Sequence, residues 1–169
     1  MNDILAVWNA SDTETAVATL SNCCASQRWA RAVAAQRPYA TAEDLLQAAD
    51  RVWATMGEPD WMEAFRAHPR IGERKATHAT PQSVQWSHQE QAAAETARHN
   101  ILAELAEGNR RYEELFGFTY IVCATGRSAE EMLHILQKRL ASDRQSELQE
   151  AAEQQRQITQ IRLRKWLEI

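Results

Sequence analysis

Residues 41–59 read TAEDLLQAADRVWATMGEP, and this stretch decides the fold class. Thr41 through Asp44 has the residue types of a helix start, with a side-chain oxygen ready for the first free backbone N–H groups. Leu45, Ala49, Val52, Trp53 and Met56 then recur at helical spacing and so share one face. Gly57 suits the C′ position that closes a helix, and Pro59 suits the first position of the next. An apolar stripe of this kind needs other helices to cover it.

The rest of the chain supplies them. Toward the N-terminus, Asp3 to Trp8 fits a short helix. Ser11-Asp12-Thr13-Glu14 has the S-x-x-E form of a capping box. It predicts a helix that turns Ala16, Val17 and Leu20 inward and ends near Cys24. Ser26 to Gln36 follows, carrying Trp29, Ala30 and Val33, and Pro38 stops it. In the other direction, Trp61, Met62 and Phe65 belong to a short helix that must end by Ala67 or His68. The residue before Pro69 is pushed out of helical backbone.

Residues 70–84 hold Gly72 and Pro81 and show no apolar periodicity. They read as a long polar loop, which in a compact helical domain is often functional. Helix resumes at Ser87 and runs to Phe116, with Gly108 as the place for a break. Phe118 to Ala124 (FTYIVCA) is the one β-like run, and with no partner strand it reads as a buried extended segment. Ser128 to Glu131 caps a helix that continues through Leu140, and a last long helix spans 143–167. Gly and Pro are scarce, at 5 and 4, while strong helix formers dominate. The expectation is an all-α, single-domain helical bundle of about eight helices over residues 1–169, with no sheet.

A net charge of −4 argues against a nucleic-acid partner or an anionic membrane surface. No apolar run approaches the roughly 18 residues that span a bilayer. The opening MNDILAVW lacks a basic segment and a long apolar core, so no signal peptide and a cytoplasmic location are expected. Cys23, Cys24 and Cys123 read as reduced, buried small hydrophobes. His78, His88, His99 and His134 fall into no metal-ligand spacing, so no metal site is expected. A Gly-rich phosphate loop and a serine nucleophile elbow are both lacking.

Three residues have the chemistry and the placement for a site. His68 sits at the close of a helix, its backbone held by Pro69 and facing a polar segment, where an imidazole suits acid–base work near neutral pH. Glu90 closes the run Ser87-His88-Gln89-Glu90. That run is itself a capping box, in which Glu90 would bond the Ser87 N–H. A helix end there would also offer free donors to an anionic substrate. Arg162 lies between Ile158 and Trp166 on one face of the last helix, whereas Arg156 and Arg164 point elsewhere. An inward arginine needs a partner: either a structural carboxylate or a substrate carboxylate clamped bidentately.

The motifs HPRIG (68–72), S-x-x-E-Q (87–91), F-G-F-x-x-I-V (116–122) and I-R-L (161–163), in this order over nearly the whole chain, resemble the 2-oxo-4-hydroxy-4-carboxy-5-ureidoimidazoline (OHCU) decarboxylase family. The resemblance implies an all-helical, cofactor-free enzyme, a homodimer, that acts in urate breakdown and yields (S)-allantoin and CO2. It places the catalytic histidine on His68 and its partner acid on Glu90. Pro69, Ser87, Gln91 and Arg162 fall on substrate-contacting positions, and His88 and Gln89 join them within the same run. Phe118, Thr119, Tyr120, Ile121 and Val122 would line the pocket through their backbone. The chain departs from the family in reading FTY where FPF is expected, and in its 73–86 segment. Two other classes stay open on residues alone: a non-catalytic α-helical binding module, and a metal-dependent hydrolase on a helical bundle.

Overall fold

A computed structural model describes residues 2–71, 80–90 and 99–169 of the chain. These residues form nine α-helices and no β-strand: α1 (Asp3–Ala10), α2 (Thr13–Cys23), α3 (Gln27–Ala34), α4 (Ala42–Trp53), α5 (Glu58–Arg66), α6 (Pro81–Glu90), α7 (His99–Phe116), α8 (Ala129–Arg139) and α9 (Arg144–Trp166). The all-α expectation holds. The helices gather into two compact units, Met1–Ala64 with Arg156–Ile169 and Phe65–Gln155. No helix among the described residues is long and apolar enough to cross a membrane.

In the first unit, α4 is built as its sequence requires. Thr41 and Asp44 form a reciprocal capping box, and Leu45, Ala49, Val52, Trp53 and Met56 are all buried. Tryptophans carry much of this core, and each buried indole N–H with a named partner finds a backbone carbonyl. Trp29 Nε1 donates to the Ala49 carbonyl at 3.0 Å and Trp8 Nε1 to that of Ala16 at 3.1 Å. The second half of α9 is tied to α4 by polar side chains. Gln160 donates to the Leu46 carbonyl at 2.9 Å and to Asp50 at 2.8 Å, and Arg156 pairs with Asp50 at 3.0 Å.

Two helix ends in this unit differ from expectation. Asp12, not Ser11, caps α2, accepting from the Thr15 N–H at 2.8 Å and the Thr15 hydroxyl at 2.7 Å. Ser11 instead closes α1, its hydroxyl donating to the Trp8 carbonyl at 2.8 Å. A carboxylate at a helix N-terminus gains from charge as well as geometry, which favours Asp12 over its neighbour. Gly57 also serves the start of α5 rather than the close of α4. Its carbonyl accepts from the Asp60 and Trp61 N–H groups at 3.0 Å, and its N–H donates to Asp60 Oδ2 at 3.1 Å.

The second unit is organised on aromatic rings. Tyr112 of α7 packs against Phe116 at 4.6 Å, Phe118 at 5.7 Å and Tyr120 at 5.5 Å between ring centroids. Phe65 meets Phe118 at 5.5 Å. Residues 119–124, read from the sequence as extended, form neither helix nor strand among the described residues, and all but Thr119 are buried. Helix α7 runs through Gly108 without the expected break. A Cβ there would stand 2.5 Å from Leu136 Cδ2 of α8, so the glycine serves close helix packing, not a kink.

Cys23, Cys24 and Cys123 are free thiols and buried. Burial pushes the Cys23 thiol up to about 12 and Cys24 up to about 11, although the Arg162 charge pulls both down. In the unfolded chain these thiols ionise near their ordinary value of 9.0. The folded state binds the protons longer, so the thiol contribution to stability is whole below about pH 9 and is lost as pH rises toward the folded values. Titrating folded protein with a thiol reagent at pH 8 should leave Cys23 and Cys24 unmodified, and urea melts should show stability falling above pH 9. Fast labelling of either residue in the native state would contradict this.

Candidate active site

His68 sits in a turn that follows α5. Its N–H donates to the Phe65 carbonyl at 3.1 Å, and Pro69 bars helical backbone at His68 itself. Phe65, Pro69 and Ile71 are buried around it while the His68 ring is half-buried. The next residue fixes the outer side of the turn, because Arg70 forks onto Glu113 of α7 at 2.6 and 2.9 Å. His68 Nε2 lies 2.6 Å from Oε1 of Gln155, a fully buried residue in the first half of α9.

The expected polar loop of residues 70–84 is corrected in its second part. Helix begins at Pro81, with Thr80 taking the Ser83 N–H on its hydroxyl at 3.1 Å and the Val84 N–H on its carbonyl at 2.9 Å. Thr at the cap and Pro at the first helical position is a regular helix start. Ser87 is therefore inside α6, and the Ser87–Glu90 capping box, with its free donors for an anion, does not form. Residues 72–79 and 91–98, including His78 and Gln91, lie outside the described residues.

The corrected helix has a consequence of its own. Ser83, Ser87 and Glu90 at i, i+4 and i+7 share one face of α6. Ser83 and Ser87 are buried on it, and Glu90 is half-buried. Burial raises the Cys123 thiol above its ordinary range, and the Glu90 carboxylate adds to the rise. That influence places Glu90 near the end of the extended segment. His88 is half-buried and Gln89 exposed, as their other angular positions on the helix require.

The extended segment commits its side chains to the core. Phe118, Tyr120, Ile121 and Val122 are buried and Thr119 is half-buried. The Tyr120 hydroxyl donates to the Met132 carbonyl at 3.0 Å. Its backbone is held by side chains from both flanks. Arg139 Nη1 donates to the Ile121 carbonyl at 2.5 Å, and the Cys123 N–H donates to Gln154 Oε1 at 2.8 Å. Arg139 itself is buried between the Tyr112 and Tyr120 rings, with its guanidinium carbon 5.6 and 5.0 Å from their centroids. It pairs with buried Glu147 at 2.8 Å, and the Tyr112 hydroxyl donates to the same carboxylate at 2.5 Å.

His68, Pro69, Ser87, Glu90 and the Phe118–Val122 run thus belong to one compact unit. Arg162 belongs to the other unit and is buried on α9 with Ile158, as the spacing required. Arg156 is tied to Asp50 and Arg164 is exposed, so both point elsewhere. Gln154, Gln155, Arg139 and Glu147 were missed in the sequence. One signal was available: Leu148, Ala151, Ala152, Gln155, Ile158 and Arg162 follow one inward helical stripe, and a glutamine in such a stripe demands a partner. Among the described residues, no three His, Cys, Asp or Glu side chains cluster as a metal site.

Fold and site together define an all-helical protein in which a half-buried histidine, a polar face of α6 and the buried 118–124 segment share one compact unit. Residues 9–164 match the OHCU decarboxylase family model, and the chain belongs to that family. Its match to the uric acid degradation bifunctional protein TTL of Arabidopsis thaliana is 37% identical over 144 residues, 85% of this chain. The chain spans only 44% of that plant protein's length. It is 28% identical over 134 residues to the 2-oxo-4-hydroxy-4-carboxy-5-ureidoimidazoline decarboxylase of Amia calva, covering 79% of this chain and 77% of that one. Among solved structures, an OHCU decarboxylase crystallised in the presence of (S)-allantoin superposes with a TM-score of 0.76 at 34% identity. That likeness covers 94% of this chain and 100% of the other.

Arg139→Ala should leave Glu147 buried without its cation, which costs about 3–5 kcal/mol. Urea unfolding should read that loss, and the double change Arg139→Met with Glu147→Leu should recover most of it. A single variant as stable as the parent would show that the pair does not hold the segment.

Proposed function

We propose that this protein decarboxylates OHCU to (S)-allantoin and CO2 in urate breakdown, without a cofactor. The observation that carries this reading is the likeness to the OHCU decarboxylase crystallised with (S)-allantoin, which extends over the whole of that chain. On this reading the chain works as one functional domain, as a homodimer and in the cytoplasm.

The chemistry asks for what the residues offer. In OHCU the carbon that bears the carboxylate neighbours a ring C=N. When the bond to CO2 breaks, its electron pair forms a carbon–carbon double bond and the imine π electrons move onto nitrogen, which takes a proton. The enol so formed becomes allantoin when its hydroxyl gives up a proton and the neighbouring ring carbon gains one. The substrate holds its own electron sink, so the protein's task is to orient the ring and to deliver that proton to one face.

His68 is the proton donor in this scheme, assisted by Glu90. Ser87 lies on the same face of α6 as Glu90 and contributes a hydroxyl. Pro69, His88, Gln89, Gln91 and the Phe118, Thr119, Tyr120, Ile121 and Val122 backbone contact the substrate, and Arg162 holds one of its polar groups by a forked, charge-assisted bond.

The test generates OHCU in place from urate with the two upstream enzymes and follows (S)-allantoin by circular dichroism. The protein should accelerate its formation, and His68→Ala should lose about 10²–10⁴-fold in turnover while folding normally. No acceleration over spontaneous racemic decay would leave a non-catalytic binding module. A fully active His68→Ala would remove the histidine from the chemistry.

A further inference from the structure

We propose that Gln155 is a positioning residue that fixes His68 as the Nε2–H tautomer, so that Nδ1 is the ring nitrogen that gains and loses the working proton. This rests on the reading of His68 as the acid–base group. The two residues are 87 positions apart in sequence, yet His68 Nε2 and Gln155 Oε1 meet at 2.6 Å. Gln155 is fully buried, so its amide is held in place by packing on α9 and does not swing in solvent. A neutral imidazole carries one proton on one of two nitrogens, and the partner of one nitrogen decides which. An amide oxygen has lone pairs and no hydrogen to give. Facing it, Nε2 is the nitrogen that carries the proton in the neutral ring, which leaves Nδ1 to accept one.

The neighbouring residue does a parallel task. Gln154 Oε1 accepts the Cys123 N–H at 2.8 Å, and Gln154 Nε2 donates to Glu150 at 2.9 Å. Adjacent amides of one helix therefore hold the imidazole and the extended segment. Their relative placement is set by a single rigid element. A carboxamide does this with no charge of its own.

The test is nitrogen-15 NMR of the full chain, with the His68 ring assigned by comparison with His68→Ala. Above its pKa the wild-type ring should show a protonated Nε2 and a bare Nδ1. Gln155→Met, close in shape and lacking the acceptor, should mix the tautomers. It should also lower kcat about 10–100-fold, the scale of a misplaced catalytic group, with KM changed less than about twofold. Gln155→Glu, which restores an acceptor at the same point, should restore the Nε2–H spectrum. A bare Nε2 in the wild type would overturn the assignment, even if Gln155→Met fails to fold. Identical His68 spectra in wild type and Gln155→Met would overturn it as well. If the tautomer follows Gln155 while His68→Ala stays active, the positioning stands and the catalytic reading of His68 falls.

Discussion

The site-bearing unit depends on one buried cation. Arg139 is closed in by two tyrosine rings, a carboxylate and a backbone carbonyl, and these four partners come from three parts of the chain. Tyr112 belongs to α7, Tyr120 and Ile121 to the extended segment, and Glu147 to α9. A lone guanidinium in such a place would be strongly unfavourable, so its burial enforces the arrangement of all four partners together. Hydrophobic packing alone is tolerant of sliding. A planar fork with fixed donor directions is not. The carbonyl of Ile121 has a set position because the charge has one place to be satisfied. An extended segment with no strand partner needs this kind of support, since its backbone groups have no ladder to join.

The fold was legible where periodicity and punctuation agree. The 41–56 stretch gave its helix, its cap and its buried face, and the segment from Phe118 to Ala124 is buried and outside any helix or strand among the described residues, apart from half-buried Thr119. The errors share a cause. Ser11 lost the cap of α2 to Asp12, and Ser87 lost the start of α6 to Thr80. In both cases a motif matched in letters while a neighbouring residue offered a better start. Asp12 adds a charge at the helix N-terminus, and Pro81 at the first helical position needs no N–H partner. Pro81 was read as loop because the turns after it, QSVQWSHQ, carry few apolar residues. Their buried face is made of Ser83, Trp86 and Ser87, and a polar buried face is invisible to hydrophobic periodicity.

The site was legible as residue types and not as contacts. His68, Glu90 and Arg162 stand out because an imidazole before a proline, a carboxylate at a helical run and an inward arginine are each conspicuous. Gln155 does not stand out, because a glutamine in a helix rich in glutamine reads as solvated surface. Only its place in the stripe from Leu148 to Arg162 distinguishes it. Local patterns report which face a residue occupies, and long-range partners such as the pair 87 positions apart follow from the tertiary fold alone.

That glutamine also bears on why a histidine can serve this reaction at all. Were its partner a carboxylate, the imidazolium would be favoured and its proton held more tightly. Were its partner apolar, the ring would be free to turn and to exchange tautomers. A buried amide at Nε2 gives direction without charge of its own. Glu90 stands on a separate helix near Cys123. For a substrate that carries its own electron sink, a correctly aimed proton of ordinary acidity is the larger part of what a protein has to supply.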